Sequence, residues 1–151
     1  MNGADALSTP VTPEVPVRDQ VEWAMAELFD KRTECGRDPW ACNVDDLAVP
    51  GSPLHDQLGE LMETRRSHSI VASKRGSLKY QVVSIDTPSE DEALVKVCLV
   101  DDVVLTMAAP GMARGAIYDD SLGSSIDVWR LERTSIGWRW WERTNLRSEE
   151  H

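Results

Sequence analysis

The stretch "VWRLERTSIGWRWWERT", residues 128–144, decides the fold, because it contains a complete hairpin with its own register signal. Three of the chain's six tryptophans, Trp138, Trp140 and Trp141, fall within four positions. Apolar and charged residues alternate on both flanks, the period of a half-buried strand. "TSIG" at 134–137 ends in glycine and supplies the loop. Taken as a four-residue loop, it sets Arg133 opposite Trp138, Glu132 opposite Arg139, Leu131 opposite Trp140 and Trp129 opposite Glu142. The alternatives set Arg130 opposite Arg143, or Arg133 opposite Arg139, and directly opposed like charges are unfavourable. In the preferred register Trp129, Leu131, Trp138 and Trp140 share the inner face. Arg130, Glu132, Arg139 and Trp141 share the outer one. There Trp141 would stack on Arg130 and Arg139, anchor a partner subunit together with them, or lie half-covered without a role.

Before this hairpin the chain reads helices first, strands afterwards. Residues 1–16, with Pro10, Pro13 and Pro16, show no periodicity and read as a flexible tail. Val17, Val21, Ala24, Met25 and Leu28 recur at helical spacing, giving an amphipathic helix that ends near Glu34, with Gly36 as its stop. Asn43 caps a short helical turn through Asp45 to Ala48. Ser52 followed by Pro53 is an N-cap with proline at the first helical position, and Leu54, Leu58, Leu61, Met62 and Arg65 trace one face of a third helix to Ser67. "SIVAS", the turn "KRGS" with Gly76, and "LKYQVVSID" read as a hairpin. After the turn "TPSED", the run "EALVKVCLVDDVVLTM" reads as one long strand. "APGMARG" is a loop, "SSIDVWRLER" and "WRWWERTNL" close the meander, and residues 148–151 read as a frayed end. The expectation is α+β: one domain over 17–147, with three N-terminal helices against an antiparallel sheet.

At 151 residues one domain with a real core is expected. A formal net charge of −10 without a basic cluster argues against nucleic acid as a partner. There is no apolar run of membrane-spanning length. "MNGADALSTP" lacks the basic and apolar segments of a secretory signal, so a cytoplasmic location is expected. Cys35, Cys42 and Cys98 lack metal-site spacing, and no metal or other cofactor is expected. Cys35 and Cys42 read first as small apolar residues at a corner. A local disulfide is the alternative, and a reducing cytosol argues against it.

Parity also brings acids inward. Asp101 shares the face of Val95, Val97, Leu99 and Val103, and Asp127 that of Trp129 and Leu131. A carboxyl in apolar surroundings has its pKa raised, the basis of acid/base work near neutrality. Asp101 and Asp127 are therefore the candidate catalytic pair, against the plainer reading of solvated or arginine-paired acids. Trp129, Trp138, Trp140, Leu99, Tyr80, His55 and Tyr118 are the candidate ligand-binding residues. His55 and His68, at the two ends of the third helix, equally suit capping or surface roles. No phosphate loop, nucleophile elbow, metal motif or dinucleotide fingerprint is present.

The helix order, the "PGSP" restart, the long strand and the closing tryptophan hairpin together resemble the nuclear transport factor 2-like superfamily. That group includes ketosteroid isomerases, scytalone dehydratase, limonene epoxide hydrolase and SnoaL-type polyketide cyclases. "DPWACNVDDLAVPGSP" and "VCLVDDVVL" are similar to phrases of small actinobacterial members. The resemblance implies a cone-shaped curved sheet wrapped over the helices, a pocket binding an apolar small molecule, and a homodimer through the outer sheet face. It also implies a second reading, a cofactor-independent isomerase, dehydratase, cyclase or epoxide hydrolase using Asp101. In the epoxide hydrolase an Asp-Arg-Asp set surrounds water; Asp101 and Asp127 would supply the acids, but Arg130 has the wrong parity and Arg114 lies in a loop. A third reading is an interaction module whose cone is filled by its own tryptophans.

Overall fold

The computed structural model describes residues 15–107 and 116–150. The tail read at 1–16, but for its last two residues, and the loop at 109–115 fall outside them. Helix α1, Val17–Arg37, is followed by a single 3-10 turn at Val44–Asp46 and helix α2, Pro53–Ser67. Seven strands follow among the described residues: β1 Ile70–Ala72, β2 Leu78–Ser89, β3 Glu92–Asp101, β4 Leu105–Met107, β5 Ala116–Asp119, β6 Gly123–Thr134 and β7 Gly137–Glu150. The α+β class is as expected, but the described residues form two α-helices, not three. The middle element is too short to be more than a turn, capped by Asn43 Oδ1 accepting the Asp45 N–H at 3.1 Å. α2 starts where Ser52-Pro53 signals, with Ser52 Oγ accepting the His55 N–H at 3.2 Å.

The strands form two antiparallel sheets, β2-β3-β6-β7 and β1-β4-β5. The expected β1–β2 hairpin is therefore absent: β1 pairs with β4, and β2 with β3. The long β-branched run also divides, at Asp101–Val104, between the two sheets. The crossing is held by Asp102, whose Oδ1 accepts the Ser77 N–H. Gly76 is required there: at φ +75°, an added Cβ would collide with the Asp102 carbonyl. β2 continues through Ser89 into the turn expected at 87–91, which narrows to Glu90 and Asp91, and β5 was not foreseen. β7 runs past residue 147, with Glu150 paired to Gly123.

The hairpin register is as argued near the loop: Arg133 with Trp138, Glu132 with Arg139, Leu131 with Trp140. Thr134 and Gly137 also pair, which shortens the loop to Ser135 and Ile136. Beyond Trp140 a β-bulge intervenes, so Arg130 pairs with Glu142 and Trp129 with Arg143 instead of Glu142. Trp141 is the extra residue, and after it Arg143 and Asn145 stand where the alternation had put their neighbours. A second bulge at Leu146 lies between the Asp127–Asn145 and Ile126–Arg147 pairs.

The core forms where α1 and α2 cover the four-stranded sheet. Val21, Met25, Leu28 and Phe29 of α1 pack with Leu54, Leu58 and Met62 of α2, and with Val95, Val97 and Leu99 of β3. Trp129, Leu131, Trp138 and Trp140 belong to the same cluster. The outer edge of β7 is covered by the segment after the 3-10 turn: Trp140 N–H donates to Leu47 O at 3.0 Å and Val49 N–H to Trp140 O at 2.9 Å. That protects an edge which would otherwise be open to pairing.

Cys35 and Cys42 are bonded to each other, against the first reading of them as separate thiols. They close a loop seven residues apart in sequence. On the chain-entropy account such a loop is worth about 2–3 kcal/mol. A disulfide persists in oxidising surroundings, which sets this pair against the cytoplasmic location expected from the sequence.

Candidate functional site

The two helices carry their apolar stripes toward the same end of the sheet, and both stripes finish in arginine. In α1 the row Val21, Met25, Leu28 continues to Arg32; in α2 the row Leu54, Leu58, Leu61 continues to Arg65. Both guanidinium groups line a pocket of about 500 Å³, inside the size range of small-molecule sites. Its apolar wall includes Leu61, Met62, Leu78, Val103 and Leu105. Asp30, Thr33 and Arg37 of α1 add polar groups, as do Ser77 before β2 and Asp101 and Asp119 at the ends of β3 and β5. The pocket thus draws on both helices and both sheets, at the end of the core away from Trp138 and Trp140.

Burial pushes the Arg32 guanidinium below its ordinary pKa; Asp101 opposes this, Arg143 and Arg65 add to it, and Asp127 opposes it. Burial likewise lowers Arg65, opposed by Asp101, Tyr118 and Asp119. Asp101 is therefore the leading counter-charge of both arginines. One of its oxygens, Oδ1, accepts the Val103 N–H at 3.0 Å where the chain leaves β3. Asp119 is satisfied locally: its Oδ1 accepts the Ser121 N–H at 2.9 Å and hydroxyl at 2.7 Å, which holds its carboxyl below the ordinary value.

The proposed partner acid lies elsewhere. Asp127 is fully buried and outside the pocket lining. Arg143 Nε lies 3.2 Å from Oδ2, Asn145 Nδ2 donates to Oδ1 at 2.9 Å, and Ser125 Oγ donates to Oδ2 at 2.9 Å. The plainer reading, an arginine-paired acid, describes this geometry.

The candidate ligand-binding residues are dispersed, and none lines the pocket. Trp129 and Trp140 pack at 4.4 Å between ring centroids, and each meets Phe29 edge-on. Trp138 donates to Gln20 Oε1 at 3.3 Å, Tyr80 stacks on Phe29 at 4.4 Å, and Leu99 is core. His55 Nε2 pairs with Asp45 Oδ1 at 2.6 Å, His68 Nδ1 contacts Thr64 O at 3.0 Å, and Tyr118 is exposed. In the outer set, Arg130 stands 5.6 Å from the Trp141 ring centroid while bridging Glu92 and Glu132 at 2.9 and 3.0 Å. Arg139 is buried, its Nη1 donating to Trp138 O at 2.8 Å. Among the described residues no group of three or more potential ligands could hold a metal ion, and no helix is long and apolar enough to cross a membrane.

No family model matches the chain, and no curated protein matches it either. Solved structures do. A ketosteroid isomerase-like protein from Erwinia carotovora atroseptica aligns at TM-score 0.52 and 15% identity, covering 85% of this chain and 95% of that one. The chain shares the fold of that protein. The Kfla4162 protein from Kribbella flavida shares this fold at TM-score 0.51 and 14% identity, over 87% of this chain and 95% of that one. The intermembrane space region of the chloroplast protein ARC6 aligns at TM-score 0.65 and 14% identity, over 89% of this chain and 98% of its own. At such identities the likeness speaks for the fold and leaves the chemistry to the pocket.

Proposed function

We propose that this nuclear transport factor 2-like chain binds a small molecule in the pocket between the helix ends and the two sheets. The pocket volume of about 500 Å³, walled by Leu61, Met62, Val103 and Leu105, is the observation that carries this reading. The tryptophans fill the other end with their own side chains, so the ligand is assigned to the arginine end. Protein purified from its host under native conditions is expected to release a small molecule on denaturation, read by mass spectrometry. Leu105→Trp, which fills the pocket, is expected to abolish its retention while the circular dichroism spectrum stays unchanged. Retention of the same molecule by a folded Leu105→Trp variant, or empty protein throughout, would sink the reading.

A second reading, an acid/base enzyme without cofactor, draws on Asp101, which has one oxygen without a partner among the described residues and faces two arginines. The two readings part at Asp101→Asn in turnover assays of the retained molecule. Loss of turnover with retention intact supports the enzyme, and absence of turnover in the unmodified protein supports the binder.

The reading extends to a homodimer through the outer face of the four-stranded sheet. Leu94, Cys98, Ile126 and Val128 share that face with Lys96 and Arg130 and are only half-buried in the single chain. Val128→Arg is expected to convert the sedimentation coefficient from dimer to monomer. A chain that is already monomeric at tens of micromolar (a concentration at which about 1 μM affinity gives mostly dimer) removes this part.

A further inference from the structure

We infer that the ligand of this pocket is a singly charged carboxylic acid bearing a hydroxyl group, its carboxylate held by Arg32 and Arg65 and its hydroxyl donating to Asp101. This rests on the small-molecule reading above and names the chemistry that reading leaves open.

The arginines carry the argument. Among the described residues neither Arg32 nor Arg65 has a hydrogen bond or ion pair from its side chain, although both line the pocket. By contrast, Arg143 pairs with Asp127 and Arg130 with Glu92 and Glu132, while buried Arg139 bonds to the Trp138 carbonyl. Arg65 lies in the last turn of α2, where a cation also complements the helix dipole. Arg32 lies five residues before the end of α1 and has no such role. Both arginines are half-buried; withdrawing a guanidinium from water without a fixed partner is costly, and burial lowers both groups. An anion that both forks reach removes that cost through charge-assisted hydrogen bonds.

The acids select which anion. Among the described lining residues Arg32, Arg37 and Arg65 are accompanied by Asp30, Asp101 and Asp119. Arg32 and Arg65 against Asp101 leave a local charge of +1, which a monoanion matches and a dianionic phosphate exceeds. Asp119 is already engaged by Ser121, and Asp101 keeps one oxygen open. That oxygen repels a carboxylate and accepts from a hydroxyl, so the ligand must place a donor there and its anion on the arginines. Leu61, Met62 and Leu105 then cover the apolar body.

The test uses the full chain and four probes of one skeleton: 4-hydroxyphenylacetate, 4-hydroxyphenylacetamide, phenylacetate and tyramine. Binding is read from backbone amide shifts of pocket residues. The hydroxy acid is expected to bind about tenfold or more tighter than its amide, with phenylacetate several-fold weaker than the hydroxy acid. Arg32→Gln and, separately, the more peripheral Arg65→Gln should each reduce the acid to the level of the amide, with the amide unaffected and the spectrum of a folded protein. Equal binding of acid and amide at the pocket overturns the anion assignment and leaves the small-molecule reading standing. Tighter binding of tyramine than of the acid overturns it in favour of a cationic ligand on the aspartates. If no probe shifts the pocket, the assignment fails too, and the retained-molecule experiment decides separately whether the pocket binds anything.

Discussion

Trp140→Ala is expected to lower the stability of the chain by about 3–5 kcal/mol, the range for removing a buried large aromatic side chain. Trp140 has no exposed surface, packs on Trp129 at 4.4 Å and on Phe29 at 5.2 Å between centroids, and donates its indole N–H to Met25 Sδ at 3.3 Å. Its side chain thus joins α1 to the inner face of β6 and β7. Its backbone bonds to Leu47 and Val49 do not depend on the side chain, so the fold should persist around a cavity. Urea unfolding should show a lower midpoint with an unchanged slope. The adjacent Trp141→Ala is the control: a half-buried residue at a bulge, with Arg130 at 5.6 Å from its ring, should cost about 1 kcal/mol or less. Similar losses for the two variants would mean that the inner and outer assignments of these indoles are wrong.

That contrast was legible in the sequence because charge pairing fixes a hairpin register locally. Glu132 opposite Arg139 and Leu131 opposite Trp140 follow from residues within a few positions of one loop. The bulge at Trp141 did not follow, since an extra residue leaves no mark on the alternation until the partner strand is known. The pairing of β1 with β4 was hidden for a related reason. Gly76 signals a chain reversal, but a hairpin turn and a crossing against Asp102 ask for the same residue. The run through Asp101-Asp102 kept its β-branched composition across a change of sheet, so periodicity could not reveal the break. Arg32 was missed because an arginine on an amphipathic helix reads as its solvated side. The available signal was its position: seven residues after Met25 and four after Leu28, it continues the buried stripe, as Arg65 continues that of α2. A charge at the end of each stripe, on two helices that run to the same end of the sheet, marks the pocket.

Asp127→Ala is expected to cost about 3–5 kcal/mol, because it removes one partner of a buried ion pair and strands the others. Asp127 is fully buried, and Arg143, Asn145 and Ser125 all donate to it. Arg143 is about a third exposed and can turn toward water, which favours the lower end of that range. Asp127→Asn keeps an acceptor for Asn145 or Ser125 and loses only the charge, so a loss of about 1–3 kcal/mol is expected. The cycle with Arg143→Ala separates pairing from simple truncation. If the pair acts as a unit, the double variant is less destabilised than the two single losses added together, by more than about 0.5 kcal/mol. Additive losses would show that Asp127 is held by Asn145 and Ser125 alone. The pair also bears on the pocket. Arg143 adds positive charge at Arg32 and Asp127 offsets it, so Asp127→Ala leaves Arg32 in a more positive field. In a folded Asp127→Ala protein the pocket should therefore hold an anion at least as tightly as before, although the acid itself never touches the ligand. An acid that catalysed would behave differently, with turnover lost and stability kept. Asp127 is expected to show the reverse: a large loss of stability with the chemistry of the arginine pocket intact.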